Sequence, residues 1–212
     1  MSSPLAPDAE LLIATGCAHC PVVLEGLSSL LKEGLISQLT ISNMAVNPAR
    51  ARELGVRSVP WARVGPFILE GLHSPAELRE WVEKANSNEG IASYIQEQIR
   101  QGQLEKVELF FKQYPQWLPA IIPLLKDEDT EMQIRLGLDV VLESLQPEML
   151  QPLLGELAEL SQHRSARIRG DATHYLSLTK THEALPWLEK RLDDEQQDVR
   201  EIAREAIEAI KN

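Results

Sequence analysis

Leu11-Leu12-Ile13-Ala14-Thr15-Gly16-Cys17-Ala18-His19-Cys20-Pro21-Val22-Val23-Leu24 joins an apolar run to a pair of cysteines and to the start of a helical pattern. Leu11 to Ala14 is a run of the kind that forms a buried strand. Val23, Leu24, Leu27, Leu30 and Leu31 recur at helical spacing within Val22 to Leu31. The cysteines therefore stand where a strand gives way to a helix. The first turn of a helix has unpaired amide groups and the positive end of the helix dipole, and both stabilise a thiolate at Cys17. A thiolate is the species that attacks a disulfide, and Cys20, one turn on, is placed to attack the mixed disulfide that results.

Cys17 and Cys20 are the chain's two cysteines. A secreted domain held by disulfides normally carries more, spread along the chain, so one close pair points to redox chemistry or to a metal. Zinc takes four ligands, and this pair with His19 supplies at most three, so no metal is expected. No cofactor is expected beyond the Cys17–Cys20 disulfide itself.

Beyond the first helix, Leu39 to Ile41 reads as a second strand. Asn47-Pro48 opens a short helix to Leu54, which Gly55 would end. Ala62 to Val64 and Phe67 to Glu70 are strands around Gly65-Pro66, a hairpin signal. Ser74-Pro75 with Glu77 opens a last helix through Val82. The order is β-α-β-α-β-β-α.

Ser58-Val59-Pro60 falls just before the third strand, with Pro60 43 residues after Cys17. With the cysteine pair ahead of it, and Gly71 and the Ser74-Pro75 helix start behind it, residues 10–85 resemble the thioredoxin-like family. Cys17-Ala18-His19-Cys20-Pro21-Val22-Val23 and Gly55-Val56-Arg57-Ser58-Val59-Pro60 are similar to the redox module at the N-terminus of bacterial alkyl hydroperoxide reductase flavoproteins. The resemblance implies that Cys17 is the nucleophile and Cys20 the resolving thiol. It implies a cis-proline at Pro60, with Val59, Pro60 and Trp61 forming a substrate edge. The implied activity is thiol–disulfide exchange with protein disulfides or dithiols.

The chain departs from that family at three places. Leu11 stands where the family has a buried Asp, so no acceptor for the Cys20 proton is evident. Gly16 replaces the usual Trp, and Trp61 instead follows the proline, where it is expected to touch the disulfide. Ala18-His19 resembles the Pro-His of strongly oxidising members, and partial positive charge on His19 would raise the reduction potential.

Residues 86–212 read as helix throughout. Asn86 to Gly90 is polar and reads as a linker, so the expected division is 1–86 and 91–212. Helical patterns follow over 91–100, 104–113, 117–126, 132–145, 148–161, 166–178, 183–192 and 199–210. Ile134-Arg135, Ile168-Arg169 and Val199-Arg200 each open a helix, 34 and 31 residues apart. The runs Leu118–Asp129 and Ala184–Glu195 also match, each an apolar helix with an early proline entering an acidic turn. This resembles short HEAT-type repeats, whose helix pairs stack into a solenoid and whose Arg pairs with an acidic turn residue. The middle turn, Gln162-His163-Arg164-Ser165, lacks the acids. His163, His174 and His182 are too scattered to read as a site. Trp117 and Trp187 are expected in the core, and Phe110, Phe111 and Tyr114 at the junction of the halves.

The chain's net charge is −11, with 7 Lys/Arg against 9 Asp/Glu in residues 1–85 and 14 against 23 thereafter. An acidic surface repels phosphate backbones, so no nucleic acid is expected, and a basic or amphipathic protein partner suits the helical half. No apolar run is long enough to span a bilayer and Met1 to Pro7 lacks a secretory pattern, so no membrane and a cytoplasmic location are expected. Two functions fit: an oxidoreductase whose solenoid selects its protein partner, or a non-catalytic adaptor or redox sensor on a HEAT scaffold.

Overall fold

The computed structural model describes residues 6–211. The chain divides into two compact units, with the boundary between Ile91 and Ala92.

The first unit has strands β1 (Asp8–Ile13), β2 (Gln38–Asn43), β3 (Trp61–Val64) and β4 (Phe67–Glu70), with helices α1 (Cys20–Lys32), α2 (Ala49–Glu53) and α3 (Pro75–Ala85). The sheet order is β2-β1-β3-β4, with β1 parallel to β2 and antiparallel to β3, and β4 antiparallel to β3. Central β1 is covered on both faces, which is why Ala9 to Leu12 are all buried. Leu12 faces α2 and packs with Ala51 and Trp61, so alternation turns Ala9 and Leu11 to the opposite face, toward α1 and α3. There α1 and α3 pack closely at Gly26, where a Cβ would lie 2.7 Å from Leu78 Cδ1. A capping box starts α3: Glu77 N–H donates to Ser74 Oγ, and Ser74 N–H donates to the Glu77 carboxylate at 2.7 Å.

The stretch expected to be a linker is a second helix start. Helix α4 (Asn88–Arg100) begins inside it, and Ser87 Oγ accepts from Gly90 N–H at 3.0 Å. Gly90 serves close approach, not flexibility: a Cβ there would lie 2.4 Å from the carbonyl oxygen of Lys84. The division at Ile91–Ala92 thus falls within α4.

The second unit continues with α5 (Leu104–Gln113), α6 (Ile122–Lys126), α7 (Met132–Ser144), α8 (Pro147–Leu150), α9 (Leu154–Leu160), α10 (Ala166–Leu178), α11 (Leu185–Arg191) and α12 (Gln197–Lys211). Three patterns expected as single helices are broken by 3₁₀ segments at Pro115–Ile121, Gln151–Leu153 and His182–Ala184. Pro119, Pro123, Pro152 and Pro186 lie in or beside these segments, and each lacks the N–H that a continuous α-helix would use. Ile134, Ile168 and Val199 are the third residues of α7, α10 and α12 and all are buried, while α10 packs on α7, α9 and α12.

The repeated arginines hold the turns together. Arg169 donates to both carboxylate oxygens of Asp194 and, through Nη1, to the carbonyls of His163 and Arg164. Arg200 donates through Nη1 to the carbonyls of Asp194 and Glu195. Arg135 departs from the expected pattern and pairs with Asp171 on α10. The middle turn lacks acids, and the arginines in and after it reach the preceding turn. Arg164 meets Glu128, and Arg167 donates to the carbonyls of Asp127 and Glu128.

One aromatic expectation changes. Trp187 is half-buried with Lys190 Nζ 4.1 Å from its ring centroid, and Trp117 is half-buried also, so neither is a core residue. Within the second unit, Phe110 packs against Tyr94, Phe111 and Tyr114.

Candidate redox site

Register gathers four loops at one end of the sheet. Ile13, the last residue of β1, pairs with Asn43, the last of β2; Leu12 pairs with Trp61, the first of β3; and Trp61 pairs with Glu70, the last of β4. The loop carrying Cys17, the loop after β2, the Val59-Pro60 segment and the Gly71–His73 segment therefore leave from the same edge. The Val59–Pro60 peptide is cis, and the Pro60 carbonyl accepts from Gly71 N–H at 2.9 Å.

Cys17 and Cys20 form a disulfide, with Cα atoms 5.5 Å apart. The two cysteines differ in exposure. Cys17 is half-buried, whereas Cys20, the first residue of α1, is 4% exposed. The backbone N–H of Cys20 donates to Cys17 Sγ at 3.1 Å. This is one of the amides that a helix start leaves without an internal partner, and it places a donor against the more open sulfur. Ala18 and His19 are exposed, and His19 occupies the N-cap of α1 without a side-chain capping bond. Val46 and Leu72 are exposed apolar residues on the loops at this same end.

Trp61 does not present its ring at this edge. It is 4% exposed and packs with Leu12 and Ala51 beneath α2, against Met44, Leu54, Val56 and Val59. Its strand is also paired on both sides. Of the expected substrate edge, Val59 is half-buried and Pro60 is buried.

The first unit does contain a buried carboxylate, one residue before Leu11. Glu10 lies on the α2 face of β1, where Arg50 donates to its two oxygens at 2.6 and 2.8 Å. These bonds hold the Glu10 carboxyl below the usual carboxylate range despite its burial, with Arg63 adding a weaker attraction. Glu10 therefore stays ionised and acts as the anchor of α2. Its partner Arg50 lies 40 residues on, so the sequence around Glu10 carries no local signal of this role.

Residues 118–208 match the HEAT repeats family. No curated protein sequence matches the chain. The helical region thus contains HEAT repeats, a kind of module that generally mediates protein–protein contacts, and the Cys17–Cys20 pair at the sheet end is compatible with a redox site. Among the described residues, no helix is long and apolar enough to cross a membrane.

Proposed function

We propose that the first unit is a thioredoxin-like domain catalysing thiol–disulfide exchange on protein substrates, and that the HEAT-repeat region selects the protein it meets. The observation that carries this is the asymmetry of the pair, an accessible Cys17 Sγ facing a helix-start amide and a sequestered Cys20. In the oxidising direction, a substrate thiolate attacks Cys17 Sγ. The Cys17–Cys20 bond breaks, and the electron pair leaves on the Cys20 sulfur. A second substrate thiolate then attacks the substrate sulfur of the mixed disulfide, releasing reduced Cys17 and an oxidised substrate. The reverse sequence reduces a substrate disulfide, with Cys17 attacking first and Cys20 resolving. Each pass leaves the Cys17–Cys20 pair in the opposite redox state, so repeated turnover draws on a second small dithiol or disulfide that exchanges with the pair.

A Cys20→Ser variant should accumulate a mixed disulfide through Cys17, seen as a mass increase lost on adding a reductant. Turnover of a disulfide-bonded protein by the unaltered chain, absent in Cys17→Ser, completes the test. Trapping without turnover would favour the second function, an adaptor or redox sensor on a HEAT scaffold, for which the family match over residues 118–208 speaks.

A further inference from the structure

Helix α7 carries two ridges at i, i+4 spacing on one outward face. Met132, Leu136 and Val140 form one, and they are 66%, 56% and 53% exposed. Arg135, Asp139 and Glu143 form the other, and it leans toward α10. Its bonds define the direction: Arg135 reaches Asp171, Asp139 accepts from the Tyr175 hydroxyl, and Glu143 meets His174 Nε2 at 2.9 Å.

Beyond this second ridge lies a groove of about 410 Å³ that runs across α7, α10 and α12. Its acids are Asp139, Glu143, Asp171 and Glu205, and His174 is the one basic residue lining it. The small residues Gly170, Ala206 and Ala209 line it as well. Burial raises the Asp139 carboxyl from its usual range, while Glu205 makes no hydrogen bond or ion pair among the described residues. Three exposed apolar side chains in line are more than scattered surface hydrophobes, and they border a trough in which four carboxyl groups outnumber the one basic residue, with Arg135 engaged by Asp171.

We propose that this face docks an amphipathic helix of a partner protein, one that lays an apolar stripe on Met132, Leu136 and Val140 and extends lysine or arginine side chains over the acidic groove. The proposal rests on the HEAT region being a partner-binding element and specifies the chemistry of that partner. Charge complementarity chooses the occupant. An acidic or phosphorylated segment would meet Asp139, Glu143 and Glu205, and a second copy of this chain, itself acidic, would bring like charge. Long basic side chains can also cover apolar surface with their stems while their charged ends reach the carboxylates.

The probe is a fluorescein-labelled peptide of leucine and lysine patterned to form one apolar and one basic helical face, titrated with the 212-residue chain and followed by anisotropy. It should bind more tightly than a scrambled peptide of the same composition and than the same pattern with glutamate in place of lysine. Glu205→Lys and Leu136→Asp should each weaken it roughly five-fold, the scale of a lost surface contact, while Glu159→Lys on the exposed side of α9 should not. Equal binding of the scrambled peptide, or an equal loss in Glu159→Lys, would reduce the effect to general attraction and overturn the proposal. The same titration with Cys17→Ser/Cys20→Ser separates this from the redox proposal. Binding should persist there, and its loss would overturn a docking face that lies wholly within the second unit.

Discussion

Arg169 holds the Asp194 carboxylate with two parallel hydrogen bonds, Nε and Nη2 each 2.7 Å from an oxygen, between side chains 11% and 2% exposed. Because Nη1 also closes the preceding turn on the carbonyls of His163 and Arg164, one side chain joins two repeats. Arg169→Met should cost roughly 3 kcal/mol, from the lost two-point pair and turn bonds, with only Arg191 Nη1 at 3.2 Å left to face the buried Asp194 carboxylate. Urea unfolding followed by circular dichroism checks it, and a loss below about 0.5 kcal/mol, the level of an ordinary surface change, would contradict it.

Acid stability follows from the same pair. The Arg169 hydrogen bonds hold the Asp194 carboxyl below its usual range. A folded value below the unfolded one gives stability that is present above the unfolded pKa of about 3.9 and is lost as pH falls through the folded value. The unaltered protein should therefore lose stability more steeply below about pH 5 than Asp194→Asn does. Parallel melting curves across that range would show converging midpoints, and parallel slopes would deny Asp194 the role.

In the reduced protein, Cys17 should alkylate before Cys20 near neutral pH, since Cys17 is the accessible sulfur with an amide donor against it. Peptide mapping after brief iodoacetamide treatment reads the order. Faster labelling at Cys20 would reverse the assigned roles.

His19 is exposed at the start of α1, where positive charge favours the thiolate and hence the reduced pair. Glu10 is bound by Arg50 and so is a poor acceptor for the Cys20 proton. The pair should equilibrate with glutathione at a potential above about −240 mV, more oxidising than thioredoxin at about −270 mV. His19→Gly should lower it, and about 30 mV would mean a tenfold shift in the exchange equilibrium. A thioredoxin-like potential that does not move in His19→Gly would remove this argument.

Two glycines should respond oppositely to alanine. At Gly90 a Cβ would meet the backbone of Lys84 at 2.4 to 2.8 Å, so Gly90→Ala should destabilise by about 1–3 kcal/mol. At Gly155 in α9 nothing lies within 4 Å, so Gly155→Ala should gain about 0.5–1 kcal/mol by helix propensity alone. Thermal unfolding of both variants tests the pair, and changes of the same sign would contradict it.

The order of elements in the first unit was legible because each signal there is local. The apolar run at Leu11 to Ala14, the Ser74-Pro75-x-Glu77 cap and the Gly65-Pro66 turn depend on near neighbours alone. The cysteine pair at a strand–helix junction was legible for the same reason, as were the Ile134, Ile168 and Val199 repeats that the HEAT match covers. Sequence by itself thus determined the order of elements in the first unit, the place of the cysteine pair between a strand and a helix, and the repeat positions. Tertiary structure decided the fates of single residues whose partners lie far along the chain. Glu10 became a buried anchor because Arg50, 40 residues on, closes over it. Trp61 was drawn into the core because α2 covers its face of the sheet. Gly90 was fixed by the Lys84 backbone, and Met132, Leu136 and Val140 stayed exposed because the outward face of α7 has no helix of the described residues over it. Apolar spacing marks a helix, but whether a given stripe meets a neighbour or solvent depends on packing between elements, which local pattern does not encode.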